Sequence, residues 1–343
     1  MGIQSHFFKF HNAIKLSKTD DSYSDARKKD DSITDAVKLA FKEKGYEAIE
    51  CFIQGSFSTD TAIKSLDGDF DIDRGIVIDH EYAPDNPVDP KKVVLEVLEK
   101  RGFTNAKIKK PCVTADYKSL NLHIDFPIYK KLGSTYYLAI GKKGSDENNR
   151  EWAVADPKGL KDWIKMKSHY VGSQDDKLWQ FNRIVRYLKR WRDHKFSADV
   201  RRKVYSIGLT VMIKQSFTPS FDNDGKPCDL TALKNTVKSI LSSGYFQDQS
   251  NDQYKVVVKL PVSPYRDVFD GSGVGTGTQL KNKLETLLNK LEQVLEEDDE
   301  NKQCNTLSGI FGDDFHVSEK KSESSKVRAV YPTAGAAGTS HGA

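Results

Sequence analysis

Apolar positions along this chain change period near residue 156, and the change divides it. Before that point short apolar runs at 50–53, 70–78, 106–110, 114–117, 122–129 and 136–140 read as strands, several alternating apolar with polar residues. Helical spacing appears at 5–16, at 24–44, where Gly45 supplies a C-terminal cap, and at 90–101. Strands broken by helices predict a mixed sheet with helices on one side. After residue 156 the three- and four-residue spacing dominates, over 160–167, 177–195, 206–215, 229–243 and 280–297, with one strand-like run at 254–260. The pattern therefore predicts an α+β protein: a sheet-bearing core over 1–158 that includes the N-terminal helices, then a helical domain over 159–317. A cleft between them is the natural place for a substrate. The charged, glycine-bearing 141–150 reads as an exposed hairpin or flap, and the Ser-, Lys-, Ala- and Gly-rich 318–343 reads as a flexible tail.

Composition adjusts this picture little. The 343 residues suffice for one large or two moderate domains, and 37% hydrophobic with 30% charged residues describes an ordinary soluble chain. A net charge of +4 permits a basic cleft for nucleotides but gives no argument for a dedicated nucleic-acid binder. Cys51, Cys112, Cys228 and Cys304 lie far apart without a Cys-x-x-Cys pair, so neither a zinc site nor a disulfide framework is indicated, and a reducing cytoplasm is the simplest setting. No run approaches a membrane span, and the first 18 residues hold no signal-peptide core.

The chemistry sits on two of the strands. In Phe70-Asp71-Ile72-Asp73 alternate side chains face opposite ways, so Asp71 and Asp73 share one face while Ile72 takes the other. In His123-Ile124-Asp125-Phe126 the same alternation puts Asp125 on a polar face. Three carboxylates brought together repel one another without a cation, and their oxygens suit Mg²⁺ or Mn²⁺. Two such ions, about 3.5–4 Å apart, activate an attacking hydroxyl and steady a leaving pyrophosphate. The third carboxylate then serves as general base or as the ligand that orients the hydroxyl. Upstream, Gly55 has no Cβ to hold a phosphate off, and Ser56 adds a hydroxyl and an amide at the same turn. Asp69 adjoins a Leu66-Asp67-Gly68 turn and is left out of the ligand set.

Gly55-Ser56-Phe57-Ser58-Thr59, then Phe70-Asp71-Ile72-Asp73-Arg74-Gly75, then His123-Ile124-Asp125-Phe126-Pro127-Ile128-Tyr129, together resemble the cGAS/DncV-like nucleotidyltransferases, a branch of the polymerase-β-type superfamily. The resemblance implies a polymerase-β-like core and synthesis of cyclic di- or trinucleotides from NTPs, ATP or GTP foremost. It also implies a second messenger in bacterial anti-phage (CBASS) signalling. By position, Asp71, Asp73 and Asp125 match the metal-binding triad, and Gly55 and Ser56 the phosphate turn. Many members carry Gly-Thr shortly after that turn, where this chain has Asp60-Thr61. The run 177–195 resembles the helix whose basic residues reach the donor triphosphate, which carries Arg186 and Lys189 over as nucleotide-binding, with Ser206 at the start of the next helix.

Other features have plainer readings. Gly271 to Gly277 alternates glycines, but no strand leads into it and no Gly-Lys-Ser/Thr follows, so it reads as a mobile connector. His123 lies on the face of Asp125 and reads as a structural hydrogen-bonding residue. No zinc insertion is visible, which argues against long double-stranded DNA as activator. Some members of the resembled family are conjugated through their C-terminus by a ubiquitin-like transfer enzyme, which makes Ala343 a candidate for the same. Two other functions stay open: transfer to an RNA, tRNA or protein acceptor, and a catalytically inactive nucleotide-binding scaffold.

Overall fold

The fold, a computed structural model, is described for residues 2–17, 20–66, 70–117, 122–167 and 174–316. The readings of Asp69 and of the tail 318–343 with Ala343 lie outside these residues. Two layers build the first unit. The sheet comprises β1 (Ala48–Gln54), β2 (Phe70–Asp79), β3 (Lys107–Ile108), β4 (Val113–Tyr117), β5 (Leu122–Phe126), β6 (Ile128–Leu132), β7 (Thr135–Ile140) and β8 (Glu151–Ala155). The run read as one strand over 122–129 is broken at Pro127, which has no N–H to give to a ladder. Both halves still pair in parallel with β2, and the Ile76 N–H bonds the Pro127 carbonyl between them at 3.1 Å. On the other side of β2, β1 pairs antiparallel. The segment 141–150 joins β7 and β8 as an antiparallel hairpin.

Helices α2 (Asp21–Glu43) and α4 (Val88–Lys100) cover one face of this sheet. Ile33, Val37 and Phe41 of α2 recur at four-residue steps and meet Ile72, Ile76 and Ile78, the side of β2 opposite Asp71 and Asp73. A buried ion pair fixes the register between layers: Arg74 donates from Nε to both Asp30 oxygens, at 3.1 and 3.0 Å. The strand is thereby anchored one residue from Asp73.

The second unit is helical. Helices α5 (Pro157–Lys165), α6 (Gln174–Lys195), α8 (Ser206–Ser216), α9 (Asp229–Ser242), α10 (Val274–Glu296) and α11 (Glu300–Phe311) contribute to one continuous core. The four-residue helices α3 (Gly55–Ser58) and α7 (Ala198–Arg201) are connectors. Three expectations change here. Helix α1 (Ile3–Ile14), grouped by sequence with the sheet, buries Phe7, Phe10 and Ile14 in the helical core, the Phe7 ring packed on Tyr187 and the Phe10 ring on Phe311. The strand expected over 254–260 shortens to β10 (Tyr254–Val256), paired with β9 (Phe246–Asp248). The glycine run is a connector only as far as Gly273: α10 begins at Val274, and a Cβ on Gly277 would stand 2.2 Å from the Tyr254 carbonyl oxygen. Glycine there lets the helix lie directly on β10.

Candidate active site

The sheet register assembles the site. Asp73 pairs with Gln54 on one side and with Asp125 on the other, and Asp125 pairs in turn with Thr114. Residues paired across strands point to the same face, so this row runs along the face that α2 and α4 leave uncovered. Asp71 stands in the parallel row with His123 and Asp116. All three expected carboxylates therefore share one face of adjacent strands.

Gly55 makes the junction. Its φ of +65° follows directly from the end of β1, and a Cβ there would lie 2.0 Å from Asp73 Oδ2. Only glycine lets the turn and this carboxylate occupy the same space. The turn is tied to itself: Ser58 Oγ donates to the Gly55 carbonyl at 2.8 Å, and the Thr61 N–H to the Ser56 carbonyl at 2.9 Å.

The electrostatics are those of a carboxylate group short of positive charge. Burial, then Asp125 and Asp71, push the Asp73 carboxyl up to about 7. Burial works on Asp125 in the same direction, but His123, Lys109 and Thr114 outweigh it and hold that carboxyl below its ordinary value. The bond to Asp125, opposed by burial, raises His123 to about 9. His123 also engages Asp116 through Nδ1 and the Thr114 hydroxyl at 2.6 Å. Asp125 Oδ1 is buried without a well-directed hydrogen bond, with His123 Nε2 at 3.3 Å and Lys109 Nζ at 3.8 Å beside it.

A divalent cation fits this donor set. An orphaned buried oxygen on Asp125 and a desolvated Asp73 are both relieved by a hard cation, and each oxygen is a ligand of the right kind. Among the described residues no three His, Cys, Asp or Glu side chains already stand together as a closed cage. A shared ion would draw side-chain oxygens, not strands, together.

Asp71 and Asp73 open into a cleft of about 560 Å³ between the two units. Asp71, Asp73, Gly55 and Ser56 line its sheet wall, while Lys161, Lys189, Arg192, Arg201 and Ser206 line the helical wall. Of the cations carried over from the resemblance, Lys189 reaches the cleft, and Arg186 does not line it. The Arg186 guanidinium donates to the Asp60 carbonyl at 2.5 Å and the Ala62 carbonyl at 3.1 Å. Lys189 Nζ gives to the Thr61 carbonyl at 3.0 Å, and burial with Arg192 and Arg186 nearby lowers it to about 7.

The residues that sequence reasoning missed lie one turn on. Arg192 Nη1 donates to Ser206 Oγ at 2.6 Å, while its Nε and Nη2 grip Asp193 Oδ1 at 2.9 and 2.6 Å. A guanidinium held on two sides is aimed before any anion arrives. Arg201, whose Nη1 lies 3.4 Å from the Asp193 carbonyl, stands beside it. The signal was present, since Arg186, Lys189 and Arg192 form one three-residue series.

Comparison with known proteins agrees with this geometry. Residues 49–129 match the family described as Cyclic GMP-AMP synthase DncV-like, nucleotidyltransferase domain. A Cyclic GMP-AMP synthase of Escherichia albertii is 30% identical over 182 residues, which cover 49% of this chain and 38% of that protein. The chain thus matches well under half the length of that relative. Among solved structures, the Bradyrhizobium diazoefficiens CD-NTase CdnG in complex with GTP superposes with a TM-score of 0.68 at 14% identity, covering 92% of this chain and 96% of that one. Vibrio cholerae DncV in its 3′-deoxy GTP bound form gives 0.66 at 15% identity, covering 90% and 96%. These two share the fold. The stretch that matches the DncV-like nucleotidyltransferase domain thus spans the Gly55 turn and all three carboxylates.

Proposed function

We propose that this chain is a template-independent nucleotidyltransferase that joins NTPs, ATP or GTP foremost, into a cyclic di- or trinucleotide messenger of bacterial anti-phage signalling. One observation carries the reading: Asp71, Asp73 and Asp125 share a sheet face, Asp73 is seated against the Gly55 turn, and Lys161, Arg192 and Arg201 face them across the cleft. The GTP and 3′-deoxy GTP held by structures of the same fold support nucleoside triphosphates as ligands.

Asp71, Asp73 and Asp125 would hold two Mg²⁺ or Mn²⁺. When bound, these supply Lewis acidity at the attacking and leaving oxygens. The donor triphosphate lies along Gly55 and Ser56, where the Ser56 hydroxyl and amide donate, while the missing Gly55 Cβ makes room for the Asp73 carboxylate. A 3′- or 2′-hydroxyl of the acceptor attacks the donor α-phosphorus. A P–O bond forms, the α–β phosphoanhydride breaks, and the hydroxyl proton passes to a carboxylate of the trio or on to water. Pyrophosphate leaves towards Arg192, Arg201 and Lys161, which meet the charge it gathers. Asp125, kept ionised by His123 and Lys109, orients the acceptor hydroxyl. A second transfer in the same cleft closes the ring.

Incubation with four labelled NTPs and Mg²⁺ or Mn²⁺, then phosphatase, tests this. A phosphatase-resistant small product is expected, and Asp71→Ala with Asp73→Ala should abolish it without unfolding the chain. Label on RNA or protein instead would assign transfer to those acceptors, and product from the double variant would overturn the site. Conjugation through Ala343 by a ubiquitin-like transfer enzyme belongs to the same proposal. It predicts a mass increase with the partner enzyme that is absent when Ala343 is removed.

A further inference from the structure

An enzyme that joins two NTPs must seat two triphosphates, and the cleft offers cations for one. Lys161, Lys189, Arg192 and Arg201 all stand with Asp71 and Asp73 on the donor side, whereas Asp125 does not line that cavity. Beyond Asp125 the sheet continues outward. Asp125 pairs with Thr114 of β4, and Thr114 pairs with Lys107 of β3, the edge strand. Lys107 is thus in the same cross-strand row as Asp73 and Asp125 and shares their face. Two strand spacings put it about 10 Å from Asp125, the scale of the distance from a ribose hydroxyl to its own 5′-phosphates. Lys109, two residues on, brings its Nζ to 3.8 Å from Asp125 Oδ1 and 3.2 Å from His123 Nε2. Lys107 is exposed and makes no ion pair among the described residues. The nearby Asp116 is already engaged by His123 Nδ1 and by Asn105 Nδ2, the latter at 3.0 Å, so its charge is met.

We infer that Lys107 and Lys109 form an anion seat for the 5′-triphosphate of the acceptor nucleotide, on the far side of the carboxylates from the donor cleft. The inference rests on the nucleotidyl-transfer reading and deepens it. A triphosphate bears about four negative charges at neutral pH, and the donor-side cations are occupied by the other nucleotide. The acceptor hydroxyl meets Asp125 while its phosphates run along the same row towards the sheet edge. Both lysines reach that path, and being at the rim they act as screened, salt-sensitive charges.

Donor and acceptor roles are separable chemically. Labelled 2′,3′-dideoxynucleoside triphosphates lack ribose hydroxyls and act only as donors. α,β-Methylene nucleoside triphosphates have an uncleavable α–β link and act only as acceptors. With all four donors and Mn²⁺, transfer to the four α,β-methylene triphosphates is compared with transfer to the four 5′-monophosphates. The wild type should favour the triphosphate acceptors in kcat/KM by about tenfold or more, the worth of one charge-assisted hydrogen bond. Lys107→Gln should carry that ratio most of the way to one, Lys107→Gln with Lys109→Gln further, and Lys107→Arg should restore it. In Lys107→Gln the concentration dependence on donor should stay as in the wild type, whereas the double variant, which also removes a cation beside Asp125, is read by the acceptor ratio alone. An unchanged ratio in both Gln variants overturns the seat, as does a wild type without preference. A wild type that transfers to no acceptor overturns the nucleotidyl-transfer reading itself.

Discussion

Gly55 and Asp60 bracket the phosphate turn and meet the same demand with different residues. Gly55 takes φ +65° with Asp73 Oδ2 where a Cβ would be. Gly55→Ala should therefore lose product formation by about 100-fold through misplacement of the Asp73 carboxylate, with only a small drop in melting temperature. Activity within a few-fold of wild type would refute that placement. Asp60 stands where many relatives of the resembled family have glycine, and it adopts φ +55° itself, a conformation Asp tolerates better than most. Its carboxylate is paired with Lys165 at 2.8 Å and its carbonyl with Arg186. Residue identity alone showed a departure there, and the backbone shows that Asp60 takes the left-handed conformation itself. A buried cation offers a pH test. Lys91 Nζ gives hydrogen bonds to the carbonyls of Lys110, Gly141 and Lys109 at 2.7, 3.0 and 3.3 Å, and burial lowers it to about 8. The folded value lies below the unfolded one, so the unfolded chain holds more protons between pH 8 and about 10.5, and stability contributed here rises with pH across that window. In denaturant melts, the stability gap between wild type and Lys91→Met should widen from pH 7.5 to 9.5. A gap independent of pH would mean that Lys91 does not titrate there.

At the scale of elements, α6 changes its meaning most between sequence and structure. Its apolar stripe was legible: Phe181, Ile184, Val185, Leu188 and Trp191 are buried as the spacing requires. Its polar stripe was not, because periodicity says which residues share a side and nothing about what that side meets. Arg186, Lys189 and Arg190 turn onto the carbonyls of Asp60, Thr61, Ala62 and Lys64, so the helix grips the loop that follows the phosphate turn. Arg186→Met leaves two carbonyls without their donor and should cost about 2–3 kcal/mol of stability. Its activity loss should appear at saturating NTP, because the loop moves while Arg192 and Arg201 remain. A variant that keeps kcat and loses only NTP affinity would return Arg186 to direct phosphate binding. The sheet is anchored by the analogous buried pair of Asp30 and Arg74 between α2 and β2. Asp30→Ala leaves the buried Arg74 guanidinium only Asp31 as an acidic partner, at 2.6 Å, and should cost about 3 kcal/mol, read by chemical denaturation. A loss below about 1 kcal/mol would mean that Asp31 alone satisfies Arg74.

Across the whole molecule, strands give way to helices near residue 156, where the period changes, and the strands that bear the carboxylates were legible because apolar and polar residues alternate along them. What local pattern could not reveal is long-range: α1 precedes the sheet in sequence yet belongs to the helical core, where Tyr187 donates its hydroxyl to the Phe7 carbonyl at 3.0 Å. The chain therefore leaves the helical unit after α1 and re-enters it at α5, so the two units are stitched twice, and the cleft takes residues from both walls. A ligand held by both walls stabilises them jointly by binding only the folded state. With Ca²⁺ in place of Mg²⁺ to slow turnover, an NTP at about 100 times its Kd should add about 2.7 kcal/mol and raise the melting temperature of a single transition. Arg192→Gln changes the helical wall alone and Asp73→Asn the sheet wall alone, and each should abolish most of that rise. If either variant kept the full shift, the nucleotide would be held by one wall, and the cleft would not be the donor site. Two separate transitions, with only one moved by ligand, would mean that the units unfold independently despite the double crossing.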